Sequence, residues 1–318
     1  MKKILIVGAG AMGAAFSIPL LDNGHSITLT EPYNFKLLQK LSLKKKFHPP
    51  LNINLPKKLK INKFSSDILN RKWDLIVIAV SSIGIDLVGK NLSKVRLKSP
   101  ILVLTKGLKL DGRNLISMSS LLRKYNKNLN ISVLKGPCLA KELARKVKSF
   151  TVVANKNIKI AKKIGKLIST NYYQTEFSRD VNGVEFLSAI KNIYSMIIGS
   201  GQWHNTSSAL FRKSIDEMKY LANYFKGKKE TVYGLAGLGD LYVSAMGGRN
   251  SKMGEYLGKG YTFNQAKKKF MKNDTVEGAD LAMEIAPFVF KKINKRKVPL
   301  MISLLEAIVK NKKLKIKY

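Results

Sequence analysis

A single cysteine, Cys138, in 318 residues excludes any disulfide within the chain and gives no sign of an oxidising compartment. Histidine is nearly as scarce: His25, His48 and His204 are scattered, and no Cys/His spacing suits zinc, so no metal is expected. The 23 glycines and 9 prolines are too few for a collagen-like or low-complexity chain, which leaves a globular one. Long apolar runs are missing too. Even the stretch around Ile193 to Gly201 is short and follows Lys191, well below the roughly 20 residues that a membrane-spanning helix needs. After Met1-Lys2-Lys3 the apolar run Ile4 to Val7 stops in a glycine motif, so it reads as a first strand and not as a signal peptide. Neither a G-x-S-x-G elbow nor a P-loop occurs. The expectation is a cytoplasmic protein without membrane insertion.

Acidic residues are also few, 20 against 58 lysines and arginines, for a formal net charge of +38. The lysines are spread over almost every segment while arginine is scarce, which suggests a bias of residue usage more than a polyanion groove. Specific nucleic-acid binding would need clustered cations with interleaved aromatics, and none are found. An anionic substrate would still gain from the positive field.

At this length two domains are expected. Short apolar runs at Ile4 to Val7, Ser26 to Thr30, Leu75 to Val80, Ile101 to Leu104, Ile131 to Leu134 and Thr151 to Ala154 alternate with helix-compatible segments. Runs of this kind indicate an α/β fold, an N-terminal Rossmann domain with a doubly wound parallel sheet buried on both faces. Beyond about Phe177 the strand-like runs give way to helical periodicity, as in Val184, Leu187, Ile190, Ile193 and Ile197. The boundary is expected near Glu176 to Asp180, giving a dinucleotide-binding domain over 1–178 and an all-helical substrate domain over 179–318. The lysine-rich stretch from Lys36 to Lys63 reads as an irregular excursion between strands.

The motif Gly8-Ala9-Gly10-Ala11-Met12-Gly13 lies between a strand and an apparent helix, the context that a dinucleotide fingerprint requires. Its glycines permit a tight turn and close backbone approach, and the helix N-terminus offers N–H groups to a pyrophosphate. Glu31 ends the second strand 18 residues after Gly13. A carboxylate there can accept from the adenosine ribose hydroxyls and repels a 2′-phosphate, so NAD is favoured over NADP, although nearby lysines could accommodate the phosphate.

Four further segments resemble glycerol-3-phosphate dehydrogenase in order and spacing: Thr105-Lys106-Gly107; Lys135-Gly136-Pro137-Cys138-Leu139-Ala140-Lys141-Glu142; Glu185 to Asn192; and Gly234-Leu235-Ala236-Gly237-Leu238-Gly239-Asp240-Leu241 continuing to Gly247-Gly248-Arg249-Asn250. Val276-Glu277-Gly278 fits a late cofactor contact of that family. The resemblance implies reduction of dihydroxyacetone phosphate, with Lys191, Lys106 and Asp240 catalytic. It places Gly8, Gly10, Ala11, Met12, Gly13, Glu31, Lys106, Ala140, Arg249 and Glu277 on the cofactor. Lys106, Gly136, Cys138, Lys191, Asn192, Asp240, Ser244, Gly248, Arg249 and Asn250 fall on the substrate. Cys138 stands where a small hydroxyl residue is usual, Met12 where bacterial members carry a bulky aromatic, and Gly248 where they often have serine.

The chemistry agrees with these roles. Hydride reduction of a ketone builds negative charge on oxygen, which an ammonium can stabilise and protonate. Lys191 in reverse would be the base, provided burial or neighbouring cations depress its pKa. Its alternative is a snorkelling surface lysine, and that of Asp240 is a helix cap after Gly239. The paired donors of Arg249 suit a phosphate. Two rivals remain at this point: a related reductase of another small ketone, of the ketopantoate or sugar-phosphate type, and a non-catalytic dinucleotide sensor or nucleic-acid binder. A homodimer is expected from fold analogy alone.

Overall fold

A computed structural model of the chain describes residues 1–317 and divides into two compact units, one of Met1–Lys106 with Met118–Val181, the other of Gly107–Ser117 with the chain from Asn182. In chain order the first unit holds β1 (Lys3–Val7), α1 (Ala11–Asp22), β2 (Ser26–Glu31), α2 (Phe35–Ser42), β3 (Phe47–His48), β4 (Ile53–Asn54), β5 (Lys60–Lys63), α3 (Ser66–Asn70), β6 (Leu75–Ile78), α4 (Ile85–Leu92) and β7 (Ile101–Val103). After the hairpin β8 (Leu108–Asp111) and β9 (Asn114–Ser117) it resumes with α5 (Met118–Tyr125), β10 (Ile131–Lys135), α6 (Ala140–Ala144), β11 (Ser149–Ala154), α7 (Ile158–Ile168) and β12 (Tyr173–Ser178).

Eight strands form one sheet in the order β12-β11-β10-β7-β6-β1-β2-β5. The continuous apolar runs of β1 and β6 are fully buried, as strands covered on both faces must be. Each such side chain contributes roughly 1.5–3 kcal/mol on burial. Strand order reverses at β1, which pairs in parallel with β2 on one side and β6 on the other. Ligands of open α/β sheets bind at the carboxyl ends of strands at such a switch point.

The sheet departs from an all-parallel one at β11, which runs antiparallel to β10. The helix between them, α6, has five residues and spans about 7.5 Å. With no longer helix in that connection to lie along the sheet, the chain turns back and β11 runs beside β10 in the opposite sense. Nor is Lys36 to Lys63 irregular: it forms α2, the β3–β4 hairpin and the edge strand β5. The lysines at both ends of Lys60-Ile61-Asn62-Lys63 hide the strand, since a charged edge is what a sheet margin tolerates.

The second unit holds α8 (Val181–Gly199), α9 (His204–Tyr224), α10 (Asp240–Ala245), α11 (Arg249–Gly258), α12 (Phe263–Phe270), α13 (Glu277–Lys292) and α14 (Pro299–Val309), α8 starting on the last residue of the first unit. It is helical apart from the β8–β9 hairpin, whose Leu108 joins the helical core and whose Leu110 N–H donates to Glu284. Helix α8 is buried on nearly every face, with Leu187, Ile190, Ile193 and Ile197 all inaccessible to solvent. Such a helix is central to its bundle. Among the described residues no helix is long and apolar enough to cross a membrane.

One buried carboxylate joins three of these helices. Glu217 of α9 accepts from the backbone N–H groups of Leu300 and Met301 at 2.6 and 3.0 Å, capping α14, and from Tyr194 Oη of α8 at 3.0 Å. Burial pushes Glu217 up from the ordinary 4.5 to about 7, against the opposing pull of these donors and Lys213. A carboxyl raised on folding contributes stability that is complete below its unfolded range near 4.5 and is lost as pH climbs to about 7. The stability advantage of the natural protein over Glu217→Gln is therefore expected to shrink between pH 5 and pH 8. Denaturant unfolding at the two pH values checks this; an unchanged difference would count against a titrating Glu217.

Candidate active site

The glycines of the first loop divide their work. Gly8 has φ +111°, and a Cβ there would lie 2.7 Å from the Ala79 and Val80 backbone. At Gly13 a Cβ would stand 1.9 Å from Gly8 O, so the helix can rest on the strand only with glycine. Gly10 is different: its Cβ would meet nothing within 4 Å. It precedes the first turn of α1, which no side chain caps. Open space over the second glycine, above an uncapped helix start, fits a dinucleotide pyrophosphate.

Two side chains brace this loop through Ala9. Glu31 Oε2 accepts from Ala9 N–H at 2.7 Å, while its Oε1 accepts from Tyr33 and Asn34 N–H. His48 Nε2 lies 2.9 Å from Ala9 O, and its Nδ1 accepts from Leu51 N–H, which leaves Nε2 as the donor. Burial lowers the pKa of this imidazole, against the opposing pull of its hydrogen bond to Ala9 O. Sequence reasoning assigned His48 no part, because only the fold carries it back under Ala9.

Lys106 follows β7 and donates to Gly136 O at 3.4 Å, so two predicted substrate residues meet at the strand ends of the sheet unit. Lys135, fully buried, donates to the carbonyls of Val103 and Thr105 and so secures the strand end that carries Lys106. Cys138 and Ala140, with Ala11 and Met12, are half-buried against the sheet-unit core.

In the helical unit Lys191 is no surface lysine, being 6% exposed, and its Nζ donates to Asp240 Oδ1 at 2.7 Å. It also donates to Ser244 Oγ. Asp240 stands in the first turn of α10, after the π-helical turn Leu235–Gly239, and its carboxylate is turned to Lys191 instead of capping. Its second oxygen accepts from Ser188 Oγ at 3.0 Å. Ser188 lies one turn before Lys191 on α8, a spacing that puts both on one face of the helix. It escaped notice because a lone serine in an apolar stripe carries no signal.

Beside this group, Asn192 donates to Glu277 Oε2 at 3.4 Å, and Arg249 Nη2 stands 3.7 Å from Glu277 Oε1. Gly248 is the N-cap position just before α11, and Asn250 Oδ1 accepts from Gly278 N–H at 2.9 Å. Arg249 and Glu277 are each about half exposed, so their pairing is worth little to stability and leaves the guanidinium able to meet an anion. Among the described residues no group of three or more His, Cys, Asp and Glu could hold a metal ion.

A glycine cradle at the switch point of a parallel sheet, with a buried ammonium–carboxylate pair in a helical unit of the same chain, defines a dehydrogenase of the Rossmann class that uses a nicotinamide dinucleotide. Family models agree: that of the NAD-dependent glycerol-3-phosphate dehydrogenase N-terminus matches residues 3–161, and that of its C-terminus residues 180–316. The chain belongs to the NAD-dependent glycerol-3-phosphate dehydrogenase family. It is 32% identical over 87% of its length to a glycerol-3-phosphate dehydrogenase [NAD(P)+] of Fusobacterium nucleatum, covering 84% of that protein. Identity to an NADP(+)-dependent glycerol-3-phosphate dehydrogenase of Archaeoglobus fulgidus is 29%, over 92% of this chain and 90% of that one. A solved glycerol-3-phosphate dehydrogenase from Coxiella burnetii shares the fold with a TM-score of 0.86 at 24% identity, covering 98% of this chain and 96% of the other.

The glycine loop separates packing from binding. Gly10→Val is expected to melt within a few degrees of the natural protein yet lose NADH binding at least tenfold, by roughly the cost of one buried clash. Gly13→Ala should instead destabilise by about 2 kcal/mol or more. Thermal melts with NADH fluorescence titrations check both, and unchanged NADH affinity in Gly10→Val would place the dinucleotide elsewhere.

Proposed function

We propose that the protein catalyses the reversible reduction of dihydroxyacetone phosphate to sn-glycerol 3-phosphate, which supplies glycerophospholipid synthesis in the cytoplasm. The observation that carries this reading is the buried Lys191–Asp240 pair, flanked by Ser244 and next in sequence to Asn192, in a chain of this family. Membership selects this substrate over a ketopantoate-type ketone and over a non-catalytic binder.

A dihydronicotinamide, when bound over the Gly8 to Gly13 loop, would supply the hydride for the carbonyl carbon. Lys191 donates a proton from Nζ to the carbonyl oxygen as charge develops there, and takes it back in the oxidation. Asp240 aims the Lys191 Nζ, and Ser188 fixes Asp240 from its other oxygen. Arg249, Asn250 and Gly248 are assigned to the substrate phosphate, where the planar guanidinium offers paired donors. Lys106, Gly136 and Cys138 are assigned to the substrate, and Ala140, Arg249 and Glu277 to the cofactor.

NADH oxidation with dihydroxyacetone phosphate tests the reaction, and a folded protein that turns over with neither coenzyme would overturn it. Lys191→Ala is expected to keep NADH affinity while kcat falls by about 1000-fold or more, combining loss of the acid with loss of oxyanion stabilisation. Activity close to that of the natural protein would remove Lys191 from the role.

NADH is the preferred coenzyme in this proposal. The Glu31 carboxylate is pinned by three backbone N–H groups, Ala9 of the glycine loop and Tyr33 and Asn34 just after β2, so it is held in place against a 2′-phosphate. For Glu31→Ser the ratio of kcat/KM with NADPH to that with NADH is expected to rise by about tenfold or more, the size of one removed charge repulsion. The ratio is insensitive to any general loss of stability, and an unchanged one would clear Glu31 of coenzyme choice.

A further inference from the structure

The helical unit holds a cavity of about 550 Å³ that shares no residue with the Lys191 group. Its walls come from α9, from the turn Lys229–Tyr233, and from the turn Lys295–Lys297 with the start of α14. Five cations converge on it: Lys213, Lys219, Lys229, Arg296 and Lys297. Lysine is everywhere on this chain, but here three separate elements contribute cations to the lining of one concavity, Lys219 also lying over the Tyr233 ring.

Two carboxylates also line the cavity, Asp216 and Glu217. Asp216 pairs with Arg212, one turn earlier on α9 and not itself on the cavity wall. Glu217 lies buried, with Leu300 N–H, Met301 N–H and Tyr194 Oη donating to it. The start of α14 is thus already capped, and by formal charge the five lining cations outnumber the two lining carboxylates. Like charges gathered in a concave wall repel one another and focus a positive potential, which a multiply charged anion would neutralise. The volume falls within the usual range for small-molecule sites, about 300–1,000 Å³. Tyr220 and Leu300 add apolar surface for an organic body.

We propose that this cavity is a second anion site, one that takes a small soluble ligand bearing two or more phosphate groups. A concave wall lined by cations from three elements suits clustered charge of that kind, whereas a lipid surface meets a protein over a flat or convex face. The site adjoins the reaction machinery through one bond: Glu217 on its wall holds Tyr194, which follows Lys191 by one turn of α8.

Calorimetric titration with pyrophosphate and with tripolyphosphate tests the site on the full chain, at about 0.15 M salt to screen diffuse attraction. Saturating NADH and sn-glycerol 3-phosphate, both reduced and so unreactive together, are present to fill the dinucleotide and substrate sites. A single saturable event is expected, weakened by about tenfold or more in Arg296→Glu/Lys297→Glu and in Lys213→Glu/Lys229→Glu, since each pair reverses two wall charges. Lys162→Glu/Lys163→Glu, on the exposed face of α7, should bind as the natural protein does. Melting curves establish that each variant is folded, and the two wall pairs guard against loss of either. No saturable binding, or equal weakening by the α7 pair, would overturn the proposal. So would binding to phosphatidylglycerol vesicles that the wall pairs abolish and pyrophosphate does not compete, which would reassign the surface to a lipid headgroup.

Discussion

The buried pair of Lys191 and Asp240 is the constraint around which the helical unit is arranged. An ammonium taken out of water is stable only when paired and hydrogen-bonded, and removing one partner of such a pair costs about 3–5 kcal/mol. Helix α8 can therefore be central and apolar while carrying a lysine only because α10 delivers a carboxylate to it, and Ser188 and Ser244 complete the hydrogen bonding. The π-helical turn Leu235–Gly239 sets the entry of α10. At Gly237 a Cβ would come within 2.2 Å of Val232 O, so that turn closes against its neighbour only with glycine.

A comparable economy governs the sheet unit. The dinucleotide loop is braced at one residue, Ala9, whose N–H is held by Glu31 and whose carbonyl is held by His48. Glu31 comes from the neighbouring strand and His48 from a small hairpin. The loop is thereby fixed by two hydrogen bonds that leave the open space over Gly10 untouched. Preorganisation of this kind lowers the entropy lost when a ligand binds.

Much of this was legible in the residues. The apolar runs of β1, β2, β6, β7, β10 and β11 read as strands because strands buried on both faces have little choice of composition. The Gly8 to Gly13 spacing marked the loop, and the resemblance of the Glu185 to Asn192 and Gly234 to Asn250 segments marked the helical-unit residues. Other features were hidden. The edge strand β5 is lysine-rich and fails the apolar test, and the direction of β11 is set by how its pairing with β10 forms in the folded sheet, which the apolar run itself does not encode. The β8–β9 hairpin did leave a signal, Asp111-Gly112 between short apolar stretches, with Gly112 at φ +58°. Its membership of the helical unit left none.

Local sequence determined the element types, the glycine loop and the chemical inventory, a lysine, a carboxylate and an arginine in recognisable company, because these follow from short-range sterics, periodicity and residue chemistry. Tertiary structure alone decided which groups meet: Ser188 and Lys191 with Asp240, Glu31 and His48 with Ala9, Glu217 with Tyr194 and the start of α14. Those partners lie from 22 to 84 residues apart in the chain. Nothing in the local pattern encodes such distances, since burial of two separate cores brings the partners together and the cost of an unpaired buried polar group then holds them.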